Sequence, residues 1–305
     1  MSHLLDGKKL AVIGDPIEHS LSPIIQQAML DELGISCTYE RILVQAGSVA
    51  AWLPSAPELN LAGFNATMPH KTDLVPLMDT LSDDARMYRS VNTVVIREGR
   101  FHGHNTDGEG FLRALHDAGM EHRNRRVVVY GAGGAARSVV LKLTAAGAEN
   151  VTVCCRTPKK AEELAARSPR IRLCGLAETA CEEALQQAGL FINCTPLGMQ
   201  GVQAQFDDFS FLDRLPASTP VCDLIYRPLK TRLLEEAEKR GLCNLKSTVD
   251  ALPCVLERKN IELFEEFGIF SEAEVRARYE VSLENYRSEE RRVGKECRSR
   301  WSPYH

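Results

Sequence analysis

The chain has 305 residues, of which 44% are hydrophobic and 26% charged. That is enough apolar material for two ordinary domains, and it excludes a wholly disordered chain. With 37 basic and 41 acidic residues the net charge is −4, the wrong sign for a surface built to bind nucleic acid.

No apolar run is long enough to cross a membrane. Met1 to Lys9 lack the apolar stretch and small-residue cleavage site of a secretory signal. The ten cysteines, Cys37, Cys154, Cys155, Cys174, Cys181, Cys194, Cys222, Cys243, Cys254 and Cys297, show no C-x-x-C spacing. Most lie in apolar runs, where a free cysteine acts as a small hydrophobe. These features predict a cytoplasmic chain with reduced thiols and neither membrane nor nucleic-acid partner. No metal is predicted; a zinc site is the weaker alternative, because the histidines are scattered and pair with no cysteine cluster.

In chain order, Leu10 to Ile13 reads as a buried strand ending in the turn Gly14-Asp15-Pro16. A helical pattern starts at Pro23, with apolar residues at Ile24, Ile25, Ala28, Met29 and Leu30. Cys37 to Val44 and Leu61 to Asn65 read as strands. Pro69 suits a first helical position, so a helix is predicted there. Asn92 to Arg97 and Phe101 to His104 form a hairpin around Glu98-Gly99. Thr106 to Ala118 reads as a helix, Arg126 to Tyr130 as a strand, and Ser138 to Ala146 as a helix closed by Gly147. A strand at Asn150 to Cys155, a helix at Lys159 to Arg167, strands at Leu190 to Asn193 and Val221 to Ile225, and a helix at Leu229 to Arg240 follow. The fold class is α/β. The second half implies a doubly wound parallel sheet.

Gly131-Ala132-Gly133-Gly134-Ala135-Ala136 fits G-x-G-x-x-G/A between a strand and a helix, the context of a Rossmann dinucleotide fingerprint. Gly131 permits the tight turn, Gly133 lets the backbone approach a pyrophosphate, and Ala136 lets the helix pack closely. The helix N-terminus offers the anion free N–H groups. An NAD site places an acid at the end of the next strand. Here that stretch reads Val153 to Lys160 without one, and Arg156 and Lys160 can grip a 2′-phosphate instead. NADP is the cofactor predicted. NAD is the alternative.

Three polar clusters stand at strand ends of the first half: His19 to Pro23, Asn65 to Lys71, and Asn105 to Gly108. Taken singly, Ser22 or Thr106 reads as a helix cap. Lys71 is more pointed, because a cation in a first helical turn opposes the dipole and suits proton transfer better than structure. Asp107 is its natural partner for orienting the ammonium group.

The stretches Gly14 to Pro23, Asn65 to Lys71, Val91-Asn92-Thr93, Asn105-Thr106-Asp107, Gly131 to Ala135, Arg156-Thr157, Asn193 to Met199 and Asp223 to Tyr226 follow one another as in shikimate dehydrogenases. Residues 1 to about 242 resemble that family. The resemblance implies an N-terminal substrate domain, 1–104, and a Rossmann-type NADP domain, 105–242. It implies reversible hydride transfer between NADPH and 3-dehydroshikimate in chorismate and aromatic amino-acid biosynthesis. Lys71 and Asp107 are implied as the catalytic pair. Ser20, Ser22, Thr67, Asn92 and Tyr226 are implied as substrate contacts. Gly131, Ala132, Gly133, Gly134, Ala135, Arg156, Thr157, Lys160, Thr195, Met199 and Ile225 belong to the cofactor side, and Asp83 stands where the family often has an acid near the cofactor. The partners are small molecules. A homodimer is left open, as is an NAD-using quinate/shikimate enzyme.

The resemblance stops after about residue 242. Thr248 to Tyr286, in 243–286, is similar to part of a type III glutamine synthetase. Too little of that enzyme is present for its active site. Arg287 to His305 back-translates into a sequence resembling a sequencing adapter. A chimeric chain is implied, with an expectation of poor folding, a disordered tail and weak or no activity.

Overall fold

A computed structural model describes residues 5–242 apart from 19, 21, 226, 227 and 229. The predicted segments 243–286 and 287–305 lie outside the described residues, and so does Tyr226.

The first half comprises β1 (Lys9–Gly14), α1 (Ser22–Glu32), β2 (Thr38–Leu43), α2 (Val49–Trp52), β3 (Leu61–Ala66), β4 (Thr80–Leu81), α3 (Asp83–Tyr88), β5 (Thr93–Arg97) and β6 (Arg100–His104). The strands form one six-stranded sheet in the order β2-β1-β3-β5-β6-β4. β1 runs parallel to β2 and β3, whereas β5 is antiparallel to both β3 and β6. The hairpin forms where its turn residues predict it. Glu98 and Gly99 both take positive φ, 50° and 74°, as a two-residue turn matched to strand twist requires. Ala11, Ile13, Phe64, Ala66 and Val94 form the centre of this domain's core with Val49 and Leu53.

The predicted helix at Pro69 is absent. Residues 68–74 form successive turns and run into a short 3-10 segment, Val75–Leu77. Pro76 lacks the N–H a continuing helix needs, and its ring clashes with the carbonyl four residues back. The buried His70 ring, whose Nε2 lies 2.7 Å from the Val44 carbonyl oxygen, pulls the segment inward. Lys71 therefore does not sit in the first turn of a helix of its own.

The second half comprises α4 (Asp107–Asp117), β7 (Arg126–Tyr130), α5 (Gly134–Ala145), β8 (Asn150–Cys155), α6 (Glu162–Ala165), β9 (Ile171–Gly175), α7 (Thr179–Gln186), β10 (Leu190–Asn193), β11 (Val221–Asp223) and α8 (Arg232–Lys239). All its strands are parallel, in the order β11-β10-β7-β8-β9. This is a doubly wound sheet whose strand order reverses between β7 and β10, the place where such folds bind ligands. Side-chain alternation fills both faces. Val127, Val129, Val151, Val153 and Ile192 pack towards α5 and α4. Val128, Tyr130, Cys154 and Phe191 pack towards α7 and α8. β9 and α7 lie in a stretch with no strand or helix prediction. α5 begins at Gly134, four residues earlier than its apolar pattern suggests, because the alanines of its first turn carry no periodic signal.

Candidate active site

A cleft of about 1690 Å³ separates the two sheets. Its walls are the C-terminal ends of β1, β3, β7, β8 and β10 and the loops that follow them.

On the first domain's side, Ser20, Ser22, Thr67 and Lys71 line the cleft. The Ser20 Oγ accepts from the Ser22 N–H at 3.3 Å. Arg41 fixes this loop from behind, donating Nε and Nη2 to the Ser20 carbonyl at 3.0 and 2.6 Å. Thr67 follows β3 directly, and its N–H donates to the Ile13 carbonyl at 2.9 Å. Those bonds hold the serine loop and the threonine against neighbouring strand ends.

The Lys71 ammonium donates to Asp107 Oδ2. Both residues line the cleft, with side chains 14% and 7% exposed. Asp107 is the first residue of α4 and is held on its other side as well. Asn92 Nδ2 donates to Asp107 Oδ1 at 2.7 Å and to Thr106 Oγ1 at 3.1 Å. Asn92 Oδ1 accepts from the Thr106 N–H at 3.2 Å and Thr93 Oγ1 at 3.0 Å. Asn105 Oδ1 accepts from the Asp107 N–H at 3.1 Å, and its amide donates to the Ser90 carbonyl at 2.8 Å. Asn92 is fully buried behind the carboxylate and is not part of the cleft wall. A partly desolvated ion pair of this kind interacts more strongly than one in water.

Across the cleft lie Gly131, Ala132, Gly133, Gly134 and Ala135. Gly131 has φ 103°, and a Cβ there would sit 3.1 Å from the Cys194 backbone. A Cβ on Gly133 would meet nothing within 4 Å, so this backbone is open to a ligand. A Cβ on Gly134 would lie 3.2 Å from both Lys71 Cβ and Ser90 Oγ. The missing side chain thus lets the start of α5 close onto the Lys71 wall. Exposed Arg156, Thr157 and Lys160 line the far end, past β8. The open cradle, the helix start and two cations fit a dinucleotide carrying a 2′-phosphate.

Thr195, Met199 and Ile225 line the remaining wall. A buried relay holds this side. Thr195 N and Oγ1 donate to Asn193 Oδ1 at 3.0 and 2.7 Å. Asn193 Nδ2 donates to Asp223 Oδ1 at 3.0 Å, and Thr231 Oγ1 donates to Asp223 Oδ2 at 2.7 Å. Burial pushes the Asp223 carboxyl up to about 6, against the hydrogen bonds it accepts from Thr231, the Ile225 N–H and Asn193.

Asp83 stands apart. It begins α3 outside the cleft wall, 96% exposed, and pairs with Arg86 at 3.0 Å. Its place at the head of a helix, capped by Ser82, accounts for an acid there. Sequence reasoning missed Arg41 and Arg137. Arg137 lines the cleft within the first turns of α5, donates to the Tyr88 carbonyl at 3.2 Å and lies 3.5 Å from Glu163. A cation so near a helix N-terminus was the signal available.

The profile of the shikimate dehydrogenase substrate binding domain matches residues 12–94, and that of shikimate/quinate 5-dehydrogenase matches 114–199. A profile of the glutamine synthetase C-terminal domain matches 231–297, so that similarity reaches back from residue 248 into α8. The NADP(+) shikimate dehydrogenase of Symbiobacterium thermophilum is 39% identical over 242 residues, which are 77% of this chain and 82% of that protein. The crystal structure of shikimate 5-dehydrogenase from Thermus thermophilus in complex with NADP(H) and shikimate is 30% identical, with a TM-score of 0.74 over 90% of this chain and 99% of that one. Quinate dehydrogenase from Corynebacterium glutamicum in complex with NAD is 26% identical, with a TM-score of 0.72 over 89% and 98% of the two chains. The chain belongs to the shikimate dehydrogenase family.

Proposed function

We propose that this chain is an NADP-dependent shikimate dehydrogenase, interconverting shikimate and 3-dehydroshikimate. The observation that carries the reading is the Lys71–Asp107 pair facing the glycine turn of α5 across one cleft. In this reading residues 1–104 bind substrate and 105–242 bind NADP.

Bound NADP supplies the hydride acceptor, and NADPH the donor, for the carbon bearing the substrate's 3-hydroxyl. The chain's own residues bind, orient and move the proton. Ser20, Ser22 and Thr67 present hydroxyls to the substrate's polar edge. The Lys71 ammonium gives a proton to the forming alkoxide during reduction and is left as the neutral amine, which takes the hydroxyl proton in the reverse, oxidising direction. Asp107 holds the ammonium in place, and Asn92 and Asn105 hold Asp107. Gly131 to Ala135 and the first turn of α5 receive the pyrophosphate, while Arg156 and Lys160 receive the 2′-phosphate. Thr195, Met199 and Ile225 form the wall beside the nicotinamide. A cytoplasmic location also belongs to this reading.

The test is NADPH formation, followed by ultraviolet absorbance, when the full chain is given shikimate and NADP. Weak or no shikimate-dependent NADPH formation is expected from the full chain, and clear formation once an authentic family C-terminus replaces the residues after Leu242. Turnover of quinate with NAD, in the absence of turnover of shikimate with NADP, overturns the reading.

A further inference from the structure

Three thiols outside the proposed reaction meet below the cofactor end of the cleft. Cys154 comes from β8, Cys174 from β9 and Cys181 from α7. The Cys154 Sγ lies 3.3 Å from that of Cys174 and 3.2 Å from that of Cys181. All three sulfurs lie within 4.8 Å of one another. The strand register sets Cys154 directly beside Cys174, and α7 packs across these strands. Each residue is at most 1% exposed. Cys154 and Cys181 nevertheless form part of the cleft wall, which supplies a way in. The Tyr130 hydroxyl, 3.8 Å from the Cys181 sulfur, is the polar neighbour on the strand side.

We propose that Cys154, Cys174 and Cys181 form a binding site for a thiophilic closed-shell cation of the Zn²⁺, Cd²⁺ and Cu⁺ class. Three thiolates around one such ion, each at about 2.3 Å, stand about 4 Å apart. Two of the separations found here, 3.3 and 3.2 Å, fall short of that value and the third lies within 4.8 Å, so the sulfurs need only small shifts, chiefly apart, to close on an ion. A set made only of sulfur selects soft ions over Mg²⁺ or Ca²⁺, which take oxygen. Loading is a displacement without redox change: the sulfur–metal bonds form, and the thiol protons leave to solvent. The cation offsets the thiolate charge that burial would otherwise penalise.

The site is separate from Lys71 and Asp107, so ion binding is measurable without turnover. The reduced full chain is titrated with Cd²⁺, following the ultraviolet thiolate-to-cadmium absorption, with equilibrium dialysis for stoichiometry and Zn²⁺ and Cu⁺ as competitors. A single equivalent is expected to disappear in Cys154→Ser and in Cys181→Ala, and to persist in Cys37→Ser, whose thiol lies in the other domain. The loss of a ligand should weaken binding beyond the roughly 10–100-fold typical of losing an outer-shell partner. Metal-free melting curves identify which variants fold. Cys181→Ala, on a helix rather than a central strand, is the gentler change. Cadmium uptake by a folded variant equal to that of the parent overturns the proposal, as does a parent that takes up no such equivalent.

Discussion

The Lys71 ammonium and the Asp107 carboxylate meet although 36 positions separate them in sequence. Lys71 lies in the turns after β3 and Asp107 opens α4, so the contact ties the six-stranded sheet to the first helix of the second half. One carboxylate oxygen holds the ammonium, and the other is held by Asn92 at 2.7 Å. That arrangement fixes the carboxylate before any ligand arrives.

Replacing Lys71 with Ala should lower kcat by roughly 10²–10⁴-fold, the usual worth of a general acid or base. KM for shikimate should change less, since Ser20, Ser22 and Thr67 remain. Steady-state kinetics in both directions check this. Parent-like turnover in a folded Lys71→Ala protein removes the residue from the mechanism.

Asn92→Ala tests positioning rather than contact. It leaves Asp107, Thr106 and Thr93 without their buried partner, at about 1–3 kcal/mol for a group left unsatisfied. The expected outcome is a lower Tm together with a lower kcat. A drop in Tm alone would confine Asn92 to structure.

Arg156→Ala should reduce kcat/KM for NADP by about tenfold or more, the equivalent of ~1.5–3 kcal/mol for a charged hydrogen bond. The value for NAD should stay near that of the parent, because NAD lacks the 2′-phosphate. Equal losses with both cofactors would assign Arg156 to general packing or fold.

Asp223 makes a pH-dependent contribution to stability. Its folded carboxyl sits at about 6, above the ordinary 3.8, because it is buried. A raised value favours the folded state most at low pH, and that stabilisation is lost as pH rises through about 6. The magnitude is roughly 3 kcal/mol for a carboxyl displaced from 3.8 to about 6. Asp223→Asn does not titrate. Denaturant unfolding of parent and variant at pH about 4 and about 7 should therefore show the parent gaining relative to the variant on acidification. Parallel stability profiles would contradict the assignment.

The strands β1, β7, β8 and β10 are legible as apolar runs, and the hairpin around Glu98-Gly99 as a turn signal, because each depends on neighbours within a few residues. The glycine turn before α5 is legible for the same reason: positive φ at Gly131 is a local requirement. β9 and α7 escaped notice because Arg172 and the glutamates of α7 break up their apolar patterns. The helix predicted at Pro69 is stopped locally by Pro76 and overridden by tertiary packing through the inward pull on His70.

By itself, the sequence determined an α/β chain with a dinucleotide fingerprint, a basic rather than acidic end to β8, and the separate polar clusters that hold Lys71 and Asp107. Only the tertiary structure decided which of these groups meet. It joined Lys71 to Asp107, set Asn92 behind the carboxylate, and left Asp83 outside the cleft. It linked Thr195 through Asn193 and Asp223 to Thr231 at the head of α8. It also gathered Cys154, Cys174 and Cys181 from two strands and a helix, although no short spacing relates them. The reason is physical. Periodicity and turn chemistry act over a few residues, whereas a parallel sheet places strand ends side by side only after its crossovers have closed.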